Sequence, residues 1–447
     1  MSIVQLFLRL FLTICAGFLF SASAPLLAQG NAEEGPKHYY VSKNTGRGRI
    51  ASKAQPAKDL GNIIALLKAG DVVHLAEGTY LSRGERGADE IKVPISLIGG
   101  YDPTFSTRDP WGEHKTIFSG TNHIEGLTTP RLHLNFHLSH KAYQGEVLID
   151  GLIIDNGNRN RYMNEEKLAI LRTANMRKEE NATPGMPGIK INAAKNTQVI
   201  VRNCVLLNVA SSQGVISVQI GENAQASINN NLIVNNTGNG IQAMTSWHPR
   251  DGKGLPTFHI FDNTILFCWK HDPVATYGGN CLKVDTDIQL LAENNVFGFG
   301  DFGGIDNIKK CKSITLKDNL LTGHRKYDYR EWNTKMNIEE IEDESDLLSF
   351  ETIGNVGYKI DINIDPEWAN IYANRPEISR AEVDAKAVAV NSDANALRGM
   401  LGISLRANAV QLDSDVWLHH IELDDVIKTG LVKYEGKFGC ELPEKSR

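Results

Sequence analysis

The sequence predicts an all-β fold in which short strands stack as the coils of a parallel β-helix. Two observations lead to this prediction: a unit of two apolar runs around a turn recurs six times between residues 147 and 323, and Val, Ile and Leu alternate with period two within the runs. Such runs indicate strands that are too short for a β-sandwich and too regular for loops. A repeat of a few tens of residues is typical of solenoid architectures.

An Asn or a Gly occupies the corner of each unit. Asn tolerates the left-handed backbone that such corners need. Because equivalent residues of successive coils lie about 4.8 Å apart, identical Asn side chains can also form a hydrogen-bonded ladder. A structural role is therefore predicted for the corner residues, which are Gly151, Asn203, Asn230, Asn263, Asn294 and Asn319.

The repeat also sets the predicted domain boundaries. Residues 29–325 are assigned to the β-helix, and the wide gap between the first two corners predicts an insertion at about residues 157–187. Beyond residue 325 the repeat stops, and an acidic run leads into a mixed C-terminal appendage at 326–447. This appendage either covers the C-terminal end of the coils or folds back along them.

The first 28 residues have the order of a signal peptide. One positive charge at Arg9 precedes an apolar run over residues 10–20 and small residues over 21–24, and we predict cleavage after Ala28. The apolar run is too short to span a bilayer comfortably, and no second stretch approaches the length of a membrane span. We therefore expect a secreted or periplasmic protein with no membrane span in its mature chain.

The predicted mature chain keeps five cysteines, an odd number for an oxidising compartment. At least one is then free or pairs between molecules. The best candidate for a disulfide is Cys268–Cys281, because that bridge would close a short loop. Zinc is disfavoured, since the sequence has no close Cys pair of the C-x2-C kind and no His-Glu-x-x-His helix.

Composition excludes several classes of protein. The chain of 447 residues is 41% hydrophobic, 22% charged and 7% aromatic, which excludes collagen and wholesale disorder. Its 47 Lys and Arg against 53 Asp and Glu give a formal charge of −6, and no long basic block is available to nucleic acid. We expect no nucleic-acid partner, and the oligomeric state stays open.

The amino-terminal region carries a resemblance to a known superfold. It contains YYVS at 39–42, a predicted helix near 57–69, GDVVHLAEGTY at 70–80 and SLIGGYDPTFSTRDP at 96–110. With the coils, this order resembles exported right-handed parallel β-helix repeat proteins of the pectate-lyase-like superfold, over about residues 38–325. The resemblance implies an N-terminal capping helix that covers the first coil. It implies the fold and not a particular chemistry.

One face of a β-helix presents rows of outward side chains, which corner loops can wall into a groove for a long polymer. Aligning the second strands of the coils gives a first outward row of Lys190, Gln242, Lys283 and Asp306 and a second row of Asn192, Gln219 and Asp285. Two long corner loops, 245–256 and 268–280, are predicted to flank this region. They supply Trp247, His248, Arg250 and Asp251, and Trp269, Lys270, His271 and Asp272.

These residue types suit a polymer that contains uronic acids. A lyase must neutralise a sugar carboxylate, which Arg and Lys do well, and must remove the proton on the adjacent carbon, which Lys or His can accept. We expect Lys283 to be the base, with His248 and His271 as alternatives. The predicted substrate contacts are Arg250 and Lys270 on the carboxylate, Trp247 and Trp269 as stacking surfaces, and Lys190 and Gln242 along the row.

The function predicted from these residues is that of a polysaccharide lyase, with a polysaccharide as its partner. Calcium is the one cofactor considered, because three carboxylates can orient the base or supply oxygen ligands: Asp272, Asp285 and Asp306. The alternative is a non-catalytic glycan-binding or cell-surface module, in which these are ordinary solvated residues. It stays open because the motifs of β-helix hydrolases, pectate lyases and mannuronan epimerases are incomplete here. Three further histidines are interpreted as surface or edge residues: His133, His137 and His140.

Overall fold

The predicted parallel β-helix is confirmed in a computed structural model of the chain. The structure describes residues 35–48, 50–82, 88–119, 129–137, 145–156, 187–209, 211, 213–269, 278–343, 351–357, 387–388, 410–411, 422–430 and 438–446. The predicted signal peptide and residues 157–186 of the predicted insertion lie outside this set. The unit Pro36–Arg447 contains every element below, and of the unit Met1–Gly35 the structure describes Gly35 alone.

Three long sheets form the walls of the β-helix in the described part of the chain. The first sheet has ten strands: His38–Val41, Val72–Ala76, Ser96–Tyr101, Glu146–Asp150, Gln198–Arg202, Gln225–Asn229, Thr257–Phe261, Gln289–Glu293, Ser313–Lys317 and Glu351–Ile353. The second sheet has eight: Gly78–Leu81, Thr116–Ser119, Ile153–Asp155, Val205–Leu207, Leu232–Thr237, Thr264–Trp269, Val296–Gly298 and Leu320–Thr322. The third sheet has nine: Asp89–Ile91, Leu132–Asn135, Ile189–Asn192, Gly214–Ile220, Asn239–Thr245, Asn280–Val284, Gly303–Asn307, Tyr329–Glu331 and Thr334–Met336.

Each central coil contributes one strand to each sheet in turn. The chain passes, for example, from Gln198–Arg202 in the first sheet to Val205–Leu207 in the second and Gly214–Ile220 in the third. Neighbouring strands within a sheet are therefore parallel, apart from the antiparallel pair Tyr329–Glu331 and Thr334–Met336 at the end of the third sheet.

Strand alternation decides which side chains fill the interior and which point outward. In the third sheet, one inward row stacks apolar side chains from successive coils: Ile189, Ile216, Ile241, Leu282 and Ile305. All five are fully buried in the interior core. Because side chains alternate with period two, the next residue of each strand lies on the outer face, where polar side chains can form rows of their own.

The left-handed corner position is occupied by Asn or Asp. The φ angle is 55° at Asn203, 50° at Asn230 and 55° at Asn294, as predicted for these corners. In two coils, however, the residue with positive φ is Asp262 or Asp318, one position before the Asn that the sequence alignment selected. Asp accepts the left-handed region nearly as well as Asn does, so a search for Asn alone chose the wrong residue there.

The predicted amide ladder exists, one residue after the left-handed position. Asn231 Nδ2 donates to Asn263 Oδ1 at 2.9 Å, Asn263 Nδ2 to Asn295 Oδ1 at 3.0 Å, and Asn295 Nδ2 to Asn319 Oδ1 at 2.9 Å. The ladder continues to Asn355 Oδ1 at 2.8 Å. All five side chains are buried. Asn263 and Asn319 are therefore ladder residues. Asn203, Asn230 and Asn294 shape the turn, and Asn230 Nδ2 also donates to Asn203 Oδ1 at 2.7 Å, as predicted for corner residues of successive coils.

The segment predicted as a capping helix forms two short 3₁₀ helices, Leu60–Asn62 and Ile64–Leu66. Leu60 and Ile63 are buried and belong to the interior core of the β-helix. The segment therefore packs on the core as the resemblance implies, but in a tighter and shorter helical form, which is usual for 3₁₀ helices.

Helix α1 (Ile338–Asp343) lies close to the carboxy-terminal strands of the first and third sheets. Its residues Ile338 and Ile341 join the interior core. This part of the C-terminal region therefore packs at the end of the coils, which is one of the two arrangements that the sequence left open.

Helix α2 (Leu423–Gly430) instead lies along the coils, which is the second arrangement that the sequence left open. Its residue Val426 packs against the outer face of the second sheet, in a second apolar cluster that includes Leu232 and Leu266. Cys440 belongs to the same cluster and donates its backbone N–H to Thr264 Oγ1 at 3.0 Å. The described residues of the C-terminal region also include an antiparallel pair, Ala387–Val388 with Val410–Gln411. Within the described ranges, no helix combines the length and apolar character of a membrane span.

The predicted disulfide between Cys268 and Cys281 is not formed. All five cysteines of the predicted mature chain are buried free thiols. Cys268 in the second sheet and Cys281 in the third both belong to the interior core, where their side chains are hydrogen-bonded. Burial raises the pKa of the Cys281 thiol well above its ordinary value, so both sulfurs behave as small core side chains.

Candidate functional site

A row of polar side chains runs along the outer face of the third sheet. Strand register places Lys190 beside Ser217, Ser217 beside Gln242, Gln242 beside Lys283 and Lys283 beside Asp306. The four residues that the sequence aligned therefore share one row, with Ser217 between the first two. The row extends in both directions, and the whole set, called the polar row below, is Glu90, His133, Lys190, Ser217, Gln242, Lys283, Asp306 and Arg330.

A second outward row lies two residues further along the same strands. It places Asn192 beside Gln219, as the sequence predicted, and adds Asn135 on one side and Met244 on the other. Asp285 directly follows Val284, which pairs with Ala243, so Asp285 lies where this row meets the corner of the coil. The two rows together give the face a polar surface two side chains wide.

Lys283 lies between Gln242 and Asp306 and is partly buried. Its neighbour Asp306 directs its carboxylate to Arg330: Oδ1 accepts hydrogen bonds from Nε at 3.0 Å and Nη2 at 2.8 Å. The guanidinium also lies over the rings of Phe302 and Tyr327, 5.4 and 5.1 Å from their centroids. The carboxylate next to Lys283 is therefore neutralised by an immobilised arginine and not by the lysine.

The carboxylates predicted as calcium ligands face cations in this structure. Asp306 is buried and paired with Arg330, and Asp285 Oδ1 lies 2.7 Å from Lys309 Nζ. Asp272 lies outside the described residues. Within the described ranges, no three His, Cys, Asp or Glu side chains come together as a group that could hold a metal ion. Calcium binding at Asp285 and Asp306 stays a prediction that would require these cations to move.

The loop after strand Asn239–Thr245 walls the third sheet at its corner. His248 Nδ1 lies 2.9 Å from Asp287 Oδ2, with the imidazole 53% exposed. Trp247 is partly buried and donates its indole N–H to Lys253 O at 3.0 Å, whereas Arg250 is exposed. The structure therefore ties His248 of this loop to the corner that carries Asp285 and Asp287, beside the second outward row.

Trp269 cannot serve as the stacking surface that the sequence predicted. Its side chain is fully buried in the second apolar cluster, and its indole N–H donates to Asn235 Oδ1 at 2.8 Å. The physical reason is that the C-terminal region covers the outer face of the second sheet, so that both faces of strand Thr264–Trp269 are buried. Lys270 and His271, predicted to lie in the same loop, are outside the described residues.

Amide and imidazole side chains cluster at the amino-terminal end of the polar row. His133 Nε2 lies 3.0 Å from Asn192 Nδ2, and His137 Nδ1 lies 3.0 Å from Asn135 Oδ1. Burial, helped by the neighbouring Lys190 charge, lowers the pKa of His133 to about 4. The His133 imidazole is therefore neutral at pH 7, and its Nε2 lone pair accepts the hydrogen bond from Asn192.

Lys190 follows His133 in the polar row and is the second cation of interest. Burial lowers the pKa of its ammonium, whose Nζ lies 3.5 Å from Gln213 Oε1. Gln242 Oε1, two places further along the row, accepts from the Gly214 backbone N–H at 2.9 Å. Two neighbouring residues, Gln213 and Gly214, thus contact the side chains of Lys190 and Gln242.

Sequence reasoning interpreted His133 as a surface or edge residue and did not consider Arg330. Both could have been found by extending the strand alignment. The sequence LHLN at 132–135 has the pattern of IKIN at 189–192, and YRE at 329–331 occupies the place of IDN at 305–307. His140, given the same interpretation as His133, lies outside the described residues.

Comparison with solved structures yields a weak match. A solved structure of a rhamnogalacturonan lyase matches this chain with a TM-score of 0.26 and 10% sequence identity. The match covers 73% of this chain and 64% of the lyase chain, so it spans less than two thirds of that protein. No protein-family model matches the chain, and no curated protein matches it in sequence. The functional case therefore rests on the side chains of the third sheet.

Proposed function

We propose that this exported protein binds a uronic-acid-containing polysaccharide along the polar row and cleaves it by β-elimination. One observation carries the proposal: a single outward row of polar side chains follows the third sheet from Glu90 to Arg330. Lys190 and Lys283 lie three strands apart in this row, about 14 Å at the usual strand spacing. A single extended anionic chain can contact both lysine side chains.

The proposed chemistry starts with removal of a proton from the ring carbon beside the sugar carboxylate. Lys283, as the free amine, accepts that proton as general base. The electron pair of the broken C–H bond forms a carbon–carbon double bond, and the glycosidic C–O bond on the next ring carbon breaks. The leaving oxygen takes a proton from water, and the hydroxide that results takes the proton from the Lys283 ammonium, which restores the free amine. The products are a shortened chain and a chain that ends in an unsaturated uronate.

The corner loop supports the proposal with groups suited to sugar recognition. Arg250 is exposed and can pair with a carboxylate, and the partly buried Trp247 ring presents an apolar surface at the edge of the row. His248 is the alternative base, held by Asp287 at 2.9 Å. Both His248 and Lys283 are therefore included in the test.

The test is the ultraviolet absorbance of unsaturated uronate when the purified protein is mixed with pectate, alginate or a glycosaminoglycan, with and without calcium. We expect a rise with one of these polymers that falls at least a hundredfold in Lys283→Gln. The matched control is Lys317→Gln, which removes the same charge from an exposed position on the first sheet and should retain full activity.

Other outcomes would redirect the proposal. If His248→Gln and not Lys283→Gln abolishes the product, the base is at the corner loop. If the wild-type protein is retained on an affinity gel of one polymer and forms no unsaturated product, the face is a non-catalytic glycan-binding module. If no uronate polymer is bound or cleaved, the proposed function is wrong.

A further inference from the structure

Within the described ranges, two buried polar atoms on the face of the third sheet have no hydrogen-bond partner. They are Asn192 Oδ1 and Ser217 Oγ. Asn192 is 7% exposed and Ser217 is fully buried. A buried polar group without a partner costs about 1–3 kcal/mol, so such groups are rare and usually mark a place where water or a ligand completes the hydrogen bonding.

The two atoms lie around Lys190. Ser217 is the neighbour of Lys190 on the next coil, and Asn192 lies two residues further along the strand of Lys190, on the same face. Diagonal neighbours of this kind lie about 7–8 Å apart, which is a distance that one sugar ring with its substituents can bridge. Among the described residues, the Lys190 ammonium makes one long contact, of 3.5 Å with Gln213 Oε1, so it can turn towards a ligand.

The unused hydrogen-bonding capacity defines the chemistry of that ligand. The Lys190 ammonium is a cationic donor, the Ser217 hydroxyl can donate to an oxygen, and Asn192 Oδ1 can only accept. A carboxylate satisfies the first two, and a hydroxyl group satisfies the third. A uronate sugar carries a carboxylate and free hydroxyl groups on one ring, whereas a neutral sugar lacks the carboxylate.

His133 fixes the direction of the Asn192 amide. Its neutral Nε2 accepts from Asn192 Nδ2 at 3.0 Å, which leaves Oδ1 as the free end of the amide. His133 does not need to touch the sugar, so it is a positioning residue for Asn192.

We infer that Lys190, Ser217 and Asn192 form a uronate-binding subsite, with the sugar carboxylate on Lys190 and Ser217 and a sugar hydroxyl group on Asn192. The inference rests on the proposed function, because it assigns one sugar-binding subsite along the same face of the third sheet. The subsite lies about 14 Å from Lys283 at the usual strand spacing. The subsite therefore binds a different sugar from the one that loses its proton at Lys283. The protein thus requires uronate sugars at more than one position of the polysaccharide.

The experiment measures binding of hexameric galacturonate and hexameric mannuronate to the full-length protein by calorimetry. We expect Lys190→Gln to weaken binding of the preferred hexamer about tenfold or more, since a charge-assisted hydrogen bond is worth about 1.5–3 kcal/mol. Ser217→Ala should weaken it less, and Asn192→Asp should weaken it strongly by repelling the carboxylate. The same hexamer with its carboxylates reduced to alcohols should bind weakly, and Lys190→Gln should not change its affinity.

Lys195→Gln is the matched control, because Lys195 is exposed at the corner just after the same strand; it should bind like the wild-type protein. Thermal melting of each variant establishes that it is folded. If the wild-type protein binds a hexamer and all three subsite variants bind it equally well, the two buried atoms hold water only and the subsite is refuted, while the proposed function survives. If the wild-type protein binds neither acidic hexamer, the proposed function and the subsite fail together.

Discussion

Trp269 donates its indole N–H to Asn235 Oδ1 at 2.8 Å beneath the C-terminal segment that covers the second sheet. The Trp269 side chain is fully buried in the apolar cluster that includes Val426, so it does not contribute to a sugar-binding surface. Of these two tryptophans, Trp247, on the corner loop of the third sheet, is the one that is only partly buried.

We expect substitution of Trp269 to lower the stability of the protein and substitution of Trp247 to weaken its binding of a glycan. Trp269→Ala removes a fully buried side chain and should lower the free energy of unfolding by about 3–5 kcal/mol, measured by chemical denaturation. Trp247→Ala should change that free energy by less than about 1 kcal/mol, because its ring is only partly buried, and should weaken retention on a uronate affinity gel. Unchanged stability in Trp269→Ala would show that the second apolar cluster is not a stabilising core.

The amide ladder should make a large contribution at each of its steps. Asn263→Ala removes the Oδ1 that accepts from both the Asn231 backbone N–H and Asn231 Nδ2, and the Nδ2 that donates to Asn295 Oδ1 and Ile228 O. Asn231, Asn263, Asn295 and Ile228 are all fully buried. With an unsatisfied buried group at about 1–3 kcal/mol each, we expect a loss of about 2–5 kcal/mol in urea denaturation. The control Gln225→Ala, an exposed amide on the first sheet, should stay within about 0.5 kcal/mol of the wild-type protein.

Stability should also depend on His133 in acid. Burial and the Lys190 and His137 charges lower its pKa to about 4, against a smaller opposing effect of Glu90. Between about pH 6.5 and pH 4 the unfolded chain takes up a proton at this residue and the folded chain does not, so the free energy of unfolding should fall as the pH falls through that window. Above about pH 6.5, where His133 is neutral in both states, the protein should keep the full stability that the neutral His133 provides.

The measurement compares wild-type protein and His133→Gln by denaturation at several pH values. The variant should show a shallower decline between about pH 6.5 and pH 4, and nuclear magnetic resonance should show the His133 ring titrating near pH 4 in the folded protein. His74, whose pKa is also lowered to about 4, is present in both proteins and does not enter the difference. Equal slopes in the two proteins would contradict the neutral, amide-bound state of His133.

Much of the third-sheet face could be predicted from the sequence. Because alternation and coil length fix the register, Lys190, Gln242, Lys283 and Asp306 could be assigned to one outward row from their positions in the repeat alone. The same rule would also have placed His133 and Arg330 in that row, and these residues were missed because the alignment stopped short of the outer coils.

The corners show a limit of residue identity as a guide. Asn263 and Asn319 look like Asn203 and Asn230 in the sequence, yet the left-handed residue in their coils is Asp262 or Asp318. The distinction depends on which backbone position turns and which side chain meets the next coil. Asn is common both at the left-handed turn position and at the ladder position that follows it, so the residue type alone does not distinguish the two positions.

The sequence alone determined the stacking of coils, since local alternation and turn residues repeat along the chain. Tertiary structure decided what covers each face. Trp269 ends a strand of the second sheet and Trp247 follows a strand of the third, but the apolar cluster that includes the distant Val426 buries Trp269 and not Trp247. Pairing of Asp306 with Arg330, and of His133 with Asn192, likewise joins residues from different coils. Such contacts depend on long-range packing, which a local pattern does not encode.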